Sequence, residues 1–245
     1  MKIATTLALL VLVTPAIADD RVIVLDYPGF RIWHDCVLGG PLAAHYEIKE
    51  DTGTLDRDHD FHLDPGLPDG CAQQKSTEPY PSPNGAEKYD RGHLVPANHL
   101  DDRQEAISAS NVMTNITPQQ SSFNRTGAWR ETEKRIECWR DREPLSIWIG
   151  VLWGDDTSND FVVGSHGIPT PDAFVKLVVN TTTGSAIAWK LENTRLKAGE
   201  LDTHAIAPDK ARVLLEALTG PQEAYTHLPT TTDPAEWPKL TCDQG

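Results

Sequence analysis

Three side chains in two short stretches are of the kinds that phosphodiester hydrolysis uses. Tyr89-Asp90-Arg91-Gly92-His93-Leu94-Val95-Pro96-Ala97 holds an arginine and a histidine. Asn111–Glu133, reading NVMTNITPQQSSFNRTGAWRETE, holds Asn124 at the approach to a helix. A histidine titrating near the working pH can take a proton from water. A guanidinium directs several N–H donors at a phosphate. An amide oxygen is a hard donor, suited to a cation such as Mg²⁺. Little else in the chain has comparable chemical content.

The surrounding pattern predicts how these groups are held. Trp129, Thr132, Ile136 and Trp139 recur near the helical period, predicting a helix over Thr126–Arg140 that carries Glu133 on its charged remainder. Leu94 and Val95 can anchor the histidine segment against a core. Residues 72–88, with Pro79, Pro81, Pro83, Asn84 and Gly85, read as a long connector leading into it. Leu55–Pro65 reads as a polar loop. Short strands are expected at Arg21–Leu25, Ala43–Glu50, Leu145–Leu152, Phe161–Val163, Phe174–Val179 and Ala186–Leu191. Pro208 can start a helix that Ala211–Leu218 fills and Gly220 stops. The tail reads as a loop that Trp237 docks and Cys242 pins. No internal repeat and no glycine-rich phosphate loop stands out.

Composition narrows the class. Lys2, the apolar run Leu7–Val13 and the small residues Ala16 and Ala18 make residues 1–18 read as an export signal, too short to span a membrane comfortably. The remaining 19–245 then form a single domain of about 227 residues. The formal net charge is −14, and removing Lys2 with the signal makes it −15. That balance argues against a nonspecific nucleic-acid coat or a polybasic membrane anchor, but leaves room for a local basic strip. Cys36, Cys71, Cys138 and Cys242 form no zinc-like spacing and suggest two disulfides in an exported chain, with three pairings open.

Beyond Asp90-Arg91-Gly92-His93, the chain contains Arg57 through Pro65, Asn115-Ile116-Thr117-Pro118-Gln119, Asn124…Trp129…Glu133, and Gly167-Ile168-Pro169-Thr170 leading into Phe174–Val179. This ordered set resembles the secreted DNA/RNA non-specific endonucleases of the ββα-metal class, related to the Serratia-type nuclease and mitochondrial endonuclease G. The resemblance covers residues 40–220. It implies an α+β, ββα-metal nuclease fold with an antiparallel central sheet flanked by helices, and one divalent cation, Mg²⁺ with Mn²⁺ as a substitute. It assigns His93 as the general base, Arg91 as the phosphate-neutralising group and Arg57 as a second phosphate clamp. Asn124 becomes the direct metal ligand and Glu133 the holder of a metal-bound water. Asp90 joins the catalytic set, orienting its surroundings more than exchanging protons.

Two positions depart from the pattern. Trp129 lies five positions after Asn124 rather than four, which suggests an insertion at Arg125-Thr126-Gly127 and makes Glu131 an alternative to Glu133. His62 stands where arginine is frequent. Each residue also has an ordinary reading: Asn124 as a helix cap, Glu133 as one solvated helix charge, Arg57 and Arg91 as surface charges. His99 reads as a solvent-facing turn residue, and Asn115 as a brace for its loop. Asn115, Asn124 and Asn180 begin Asn-x-Ser/Thr sequences, and a glycan on Asn124 would clash with a metal there.

The expectation is a secreted or periplasmic Mg²⁺-dependent endonuclease acting on DNA and RNA with low base specificity and leaving 5′-phosphates. Its rival is a catalytically inactive secreted nucleic-acid-binding protein. Sequence leaves open the preferred nucleic acid, a protein inhibitor, the disulfide pairing and the oligomeric state.

Overall fold

The computed structural model describes residues 21–83, 87–223 and 227–242. Residues 1–18, read as an export signal, lie outside them. No helix among the described residues is long and apolar enough to cross a membrane.

A seven-stranded, wholly antiparallel sheet forms the centre, in the order β1-β2-β3-β6-β7-β8-β9. Its strands are β1 (Val22–Tyr27), β2 (Phe30–Asp35), β3 (Gly40–Ile48), β6 (Leu145–Leu152), β7 (Ala173–Asn180), β8 (Ala186–Glu192) and the short β9 (Ala205–Ile206). The inner strands are apolar on both sides because both faces are covered. Alternation sends Leu145, Ile147, Ile149 and Val151 of β6, with Phe174 and Val178 of β7, into one core. Trp148 of β6, with Val175, Leu177 and Val179 of β7, enters a second core. Helix α5 (Pro208–Thr219) closes the second core with Ala211 and Leu215. Pro208 opens that helix, and Gly220, at φ +71°, follows its end.

The other face carries the elements that position the candidate site. Strand β4 (Tyr89–His93) and strand β5 (Ile116–Gln120) pair antiparallel as a separate two-stranded ribbon, with His93 opposite Ile116. Between them runs α1 (Gln104–Ser110); after them come α2 (Ser121–Arg125) and α3 (Ala128–Arg140). Leu94, Val95, Phe123, Trp129, Ile136 and Trp139 tie this ββα unit to the main sheet. Each large apolar side chain buried there contributes about 1.5–3 kcal/mol.

The α+β class and the flanked antiparallel sheet agree with expectation. Three local readings need correction. The helix expected over Thr126–Arg140 is α3, which starts two residues later at Ala128, and a separate short helix not expected from sequence, α2, precedes it and ends at Arg125 before a break at Thr126 and Gly127. Gly127 is needed at this break, since a Cβ there would lie 2.4 Å from the Leu196 carbonyl and 2.6 Å from Phe123 Cα. Phe161–Val163 is not a buried strand. Phe161 and Val163 are exposed, and the chain turns into α4 (Val163–His166). Phe161 N donates to the Asn159 carbonyl at 2.8 Å and Val163 N to the Asp160 carbonyl at 3.4 Å, so these amides serve a local turn rather than a ladder. His99 is buried rather than solvent-facing.

The disulfides pair Cys36 with Cys71 and Cys138 with Cys242. The first fastens the connector before β4 to the end of β2. The second fastens the C-terminal tail to α3, beside the edge-on contact of Trp139 and Trp237 at 4.8 Å.

Candidate active site

The ribbon delivers the site by strand alternation. Residues 91 and 93 point to one side of β4, so Arg91 and His93 emerge together. Gly92 between them is a close-approach glycine: a Cβ there would sit 2.2 Å from Cδ of the buried Gln119 side chain on β5. That side chain in turn donates to the His93 carbonyl at 3.5 Å.

His93 is half-buried, and its protonation is set by a relay. Asn111 donates from its amide nitrogen to the Asp58 carbonyl at 2.9 Å. That fixes the amide with Oδ1 facing His93 Nε2, also at 2.9 Å. An amide oxygen only accepts, so Nε2 carries the hydrogen and the lone pair lies on Nδ1. Nδ1 has no hydrogen-bond partner among the described residues. Burial pushes the imidazole pKa down to about 4, with Arg57, Arg91 and His59 acting in the same direction and the Asn111 bond opposing them. At neutral pH this histidine is a neutral base, with its pKa below the working-pH range that the sequence reading expects.

Arg91 donates to the Thr77 carbonyl. Its guanidinium carbon lies 3.9 Å above the Phe61 ring centre. It has no carboxylate partner among the described residues, and neither does exposed Arg57. These two cations border His93 on a protein of net charge −14.

Asp90 engages α2. It accepts from Ser121 Oγ at 3.0 Å, from Asn124 Nδ2 at 3.2 Å, and from Arg125 through two bonds of 2.7 and 2.6 Å. A carboxylate can only accept, so it takes the NH₂ end of Asn124 and leaves Oδ1 without a hydrogen bond among the described residues. No cluster of three or more His, Cys, Asp or Glu with metal-holding geometry occurs among the described residues. Asn124 Oδ1 would offer a cation a single hard amide oxygen. This fits a cation that keeps most of its waters, as Mg²⁺ does, and does not fit a zinc cage.

Glu133 stands apart from these two groups. It is nearly buried on α3 and pairs with Arg130 at 3.2 Å. No hydrogen bond or ion pair joins it to Asn124 or His93 among the described residues. Its helix packs on α2, where Phe123 and Trp129 meet at 5.9 Å. Glu131, the alternative, pairs with Arg135 at 3.0 Å. Beneath α3 the fully buried Lys176 of β7 donates to Thr132 Oγ1 at 2.8 Å and lies 3.5 Å from the Trp129 ring centre. Burial lowers its pKa to about 7, with the charge of Glu133 opposing. His99 belongs to this supporting layer, its Nδ1 bonded to the Tyr46 hydroxyl at 2.9 Å and its Nε2 near Glu137 at 3.3 Å.

Of the site candidates, Arg57 borders a large hollow among the described residues, of about 870 Å³. A hollow of about 320 Å³ lined by Glu47, His99 and Arg140 is elsewhere.

Sequence reasoning passed over Asn111, Phe61 and Lys176. Only Lys176 had a legible signal. It interrupts the apolar run Phe174–Val179 in phase with Phe174 and Val178, which makes it a core-facing lysine.

A family model described as DNA/RNA non-specific endonuclease matches residues 13–220. Among curated proteins, none matches the chain. Among solved structures, that of the EndoG/EndoGI complex, described as showing the mechanism of EndoG inhibition, is similar at a TM-score of 0.65 and 16% identity. The match covers 83% of this chain and 86% of that one.

Proposed function

The chain belongs to the DNA/RNA non-specific endonuclease family, and from that premise we propose that it is a secreted or periplasmic Mg²⁺-dependent enzyme. It would cleave DNA and RNA with little base preference and leave 5′-phosphates. Residues 19–245 would be its single catalytic domain. The observation that carries this reading is His93: one ring nitrogen tied to Asn111, the other without a partner among the described residues, and two arginines nearby that have no carboxylate partner among them either.

In the proposed reaction, His93 Nδ1 takes the proton of the attacking water. Arg91 meets the charge growing on the phosphoryl oxygens, and Arg57 holds a neighbouring phosphate. Asn124 Oδ1 would hold the cation, and Glu133 would hold one of the waters around it. The bound cation would supply Lewis-acid polarisation of the phosphate. Asp90 sets the Asn124 amide the right way round. Backbone phosphates would provide most of the attraction, so cleavage weakens as salt is raised.

The test is turnover on matched DNA and RNA substrates, with end-group analysis of the products. Many cuts per protein with 5′-phosphate ends support the proposal. Stoichiometric retardation without cleavage supports an inactive binding protein instead, and 3′-phosphate ends contradict the assigned direction of bond breakage.

A further inference from the structure

Arg91 presents a specific physical problem. A guanidinium meant for phosphate must be held in place, yet the usual holder, a carboxylate, would occupy its donors and cancel its charge. The adjacent acid, Asp90, is committed to Asn124 and Arg125. Within the protein, Arg91 spends one of its five N–H donors on the Thr77 carbonyl. A second contact, among the described residues, is with Phe61, whose ring centre lies 3.9 Å from the guanidinium carbon.

We propose that Phe61 is a positioning residue for phosphodiester cleavage, its ring holding the Arg91 guanidinium beside His93 without neutralising it. This rests on the nuclease reading above. A π face attracts a cation through its quadrupole and takes no hydrogen from it, so the remaining N–H donors stay available to a phosphate. The same ring stands 5.4 Å from the His93 ring at 50°, so one side chain borders both groups.

The backbone next to Phe61 is anchored by the segment that orients His93. His62 N donates to the Asn111 carbonyl at 3.3 Å, and Met113 N donates to the His62 carbonyl at 2.8 Å. Asn111 therefore fixes the imidazole through its side chain and this loop through its main chain. Phe61 is partly exposed and belongs to no apolar core cluster. Its aromatic character is thus better accounted for by Arg91 than by the stability of the fold.

The experiment compares Phe61→Leu and Phe61→Trp with wild type in Mg²⁺-dependent nicking of supercoiled plasmid, with thermal midpoints recorded for each. Leucine fills much of the space but has no π face, whereas tryptophan offers a stronger one. Phe61→Leu should lower kcat by about threefold to thirtyfold, the range a partly desolvated cation–π contact is worth. Its midpoint should fall by no more than a few degrees, the shift a contact of that size gives in a protein of this length, and Phe61→Trp should stay close to wild type in kcat. In an Arg91→Ala background, Phe61→Leu should cost nothing further. Wild-type kcat in Phe61→Leu, equal loss in the leucine and tryptophan variants, or an undiminished loss without Arg91 would each overturn the role. A wild-type protein that cuts nothing would overturn the nuclease reading instead, and this role with it.

Discussion

The side-chain amide of Asn111 decides which nitrogen of His93 is free. Because Asn111 gives its NH₂ to the Asp58 carbonyl, its oxygen must face Nε2, and the lone pair falls on Nδ1. Asn111→Leu removes that decision, and kcat should fall by about a factor of ten, the cost of one oriented hydrogen bond. Asn111→Asp acts differently. In the wild type, burial holds the imidazole pKa near 4, so the base form persists until the pH falls through about 4. A carboxylate beside Nε2 favours the imidazolium and raises that pKa. The acid limb of the pH–kcat profile should therefore move upward in Asn111→Asp; an unmoved limb would separate His93 from the rate.

Asp90 does for Asn124 what Asn111 does for His93. As an acceptor that can bind only the NH₂ end of the amide, it leaves Oδ1 bare. Asp90→Asn can donate as well as accept, so the amide loses its fixed sense. The expected outcome is a higher Mg²⁺ concentration for half-maximal cleavage, by about tenfold. Retention of the wild-type Mg²⁺ requirement would remove Asp90 from this task.

The elements that were legible in sequence are those with strong, unambiguous period. The apolar runs of β6 and β7 read as strands because both sheet faces are buried, and Trp129, Ile136 and Trp139 marked the buried stripe of α3. Arg91, His93 and Asn124 stood out because their types and order carry chemistry. What stayed hidden depends on contacts between distant segments. Nothing local to Asn111 says that it will meet Asp58 and His93. Phe61 is a lone aromatic in a polar loop until Arg91 is folded over it. His99 follows a turn-like Pro96, so its burial against Tyr46 and Glu137 needs β3 and α3 in place. Phe161–Val163 has strand composition, but its amides bond to the Asn159 and Asp160 carbonyls just before them and close a local turn instead of a ladder.

Lys176 should cost stability that can be read from pH. Its pKa is about 7 in the folded protein against an ordinary 10.5. Between those values the unfolded chain binds more protons, so this group makes stability rise as pH goes from about 7 to 10.5. Lys176→Met fills the same space without an ammonium. It should flatten that rise and stabilise the protein at pH 7 by about 2 kcal/mol, in the range seen when buried charges are replaced by apolar groups. Chemical denaturation of both proteins across this pH window would check it. An unchanged slope would mean that Lys176 stays charged in the fold.

Nicking of supercoiled plasmid by wild type and His93→Ala, each with Mg²⁺ and with EDTA, tests the assignment of His93 as the base most directly. The expected result is many cuts per molecule by wild type with Mg²⁺, none with EDTA, and a loss of at least about a hundredfold in folded His93→Ala, the scale of a missing general base. Undiminished cleavage by His93→Ala would contradict it.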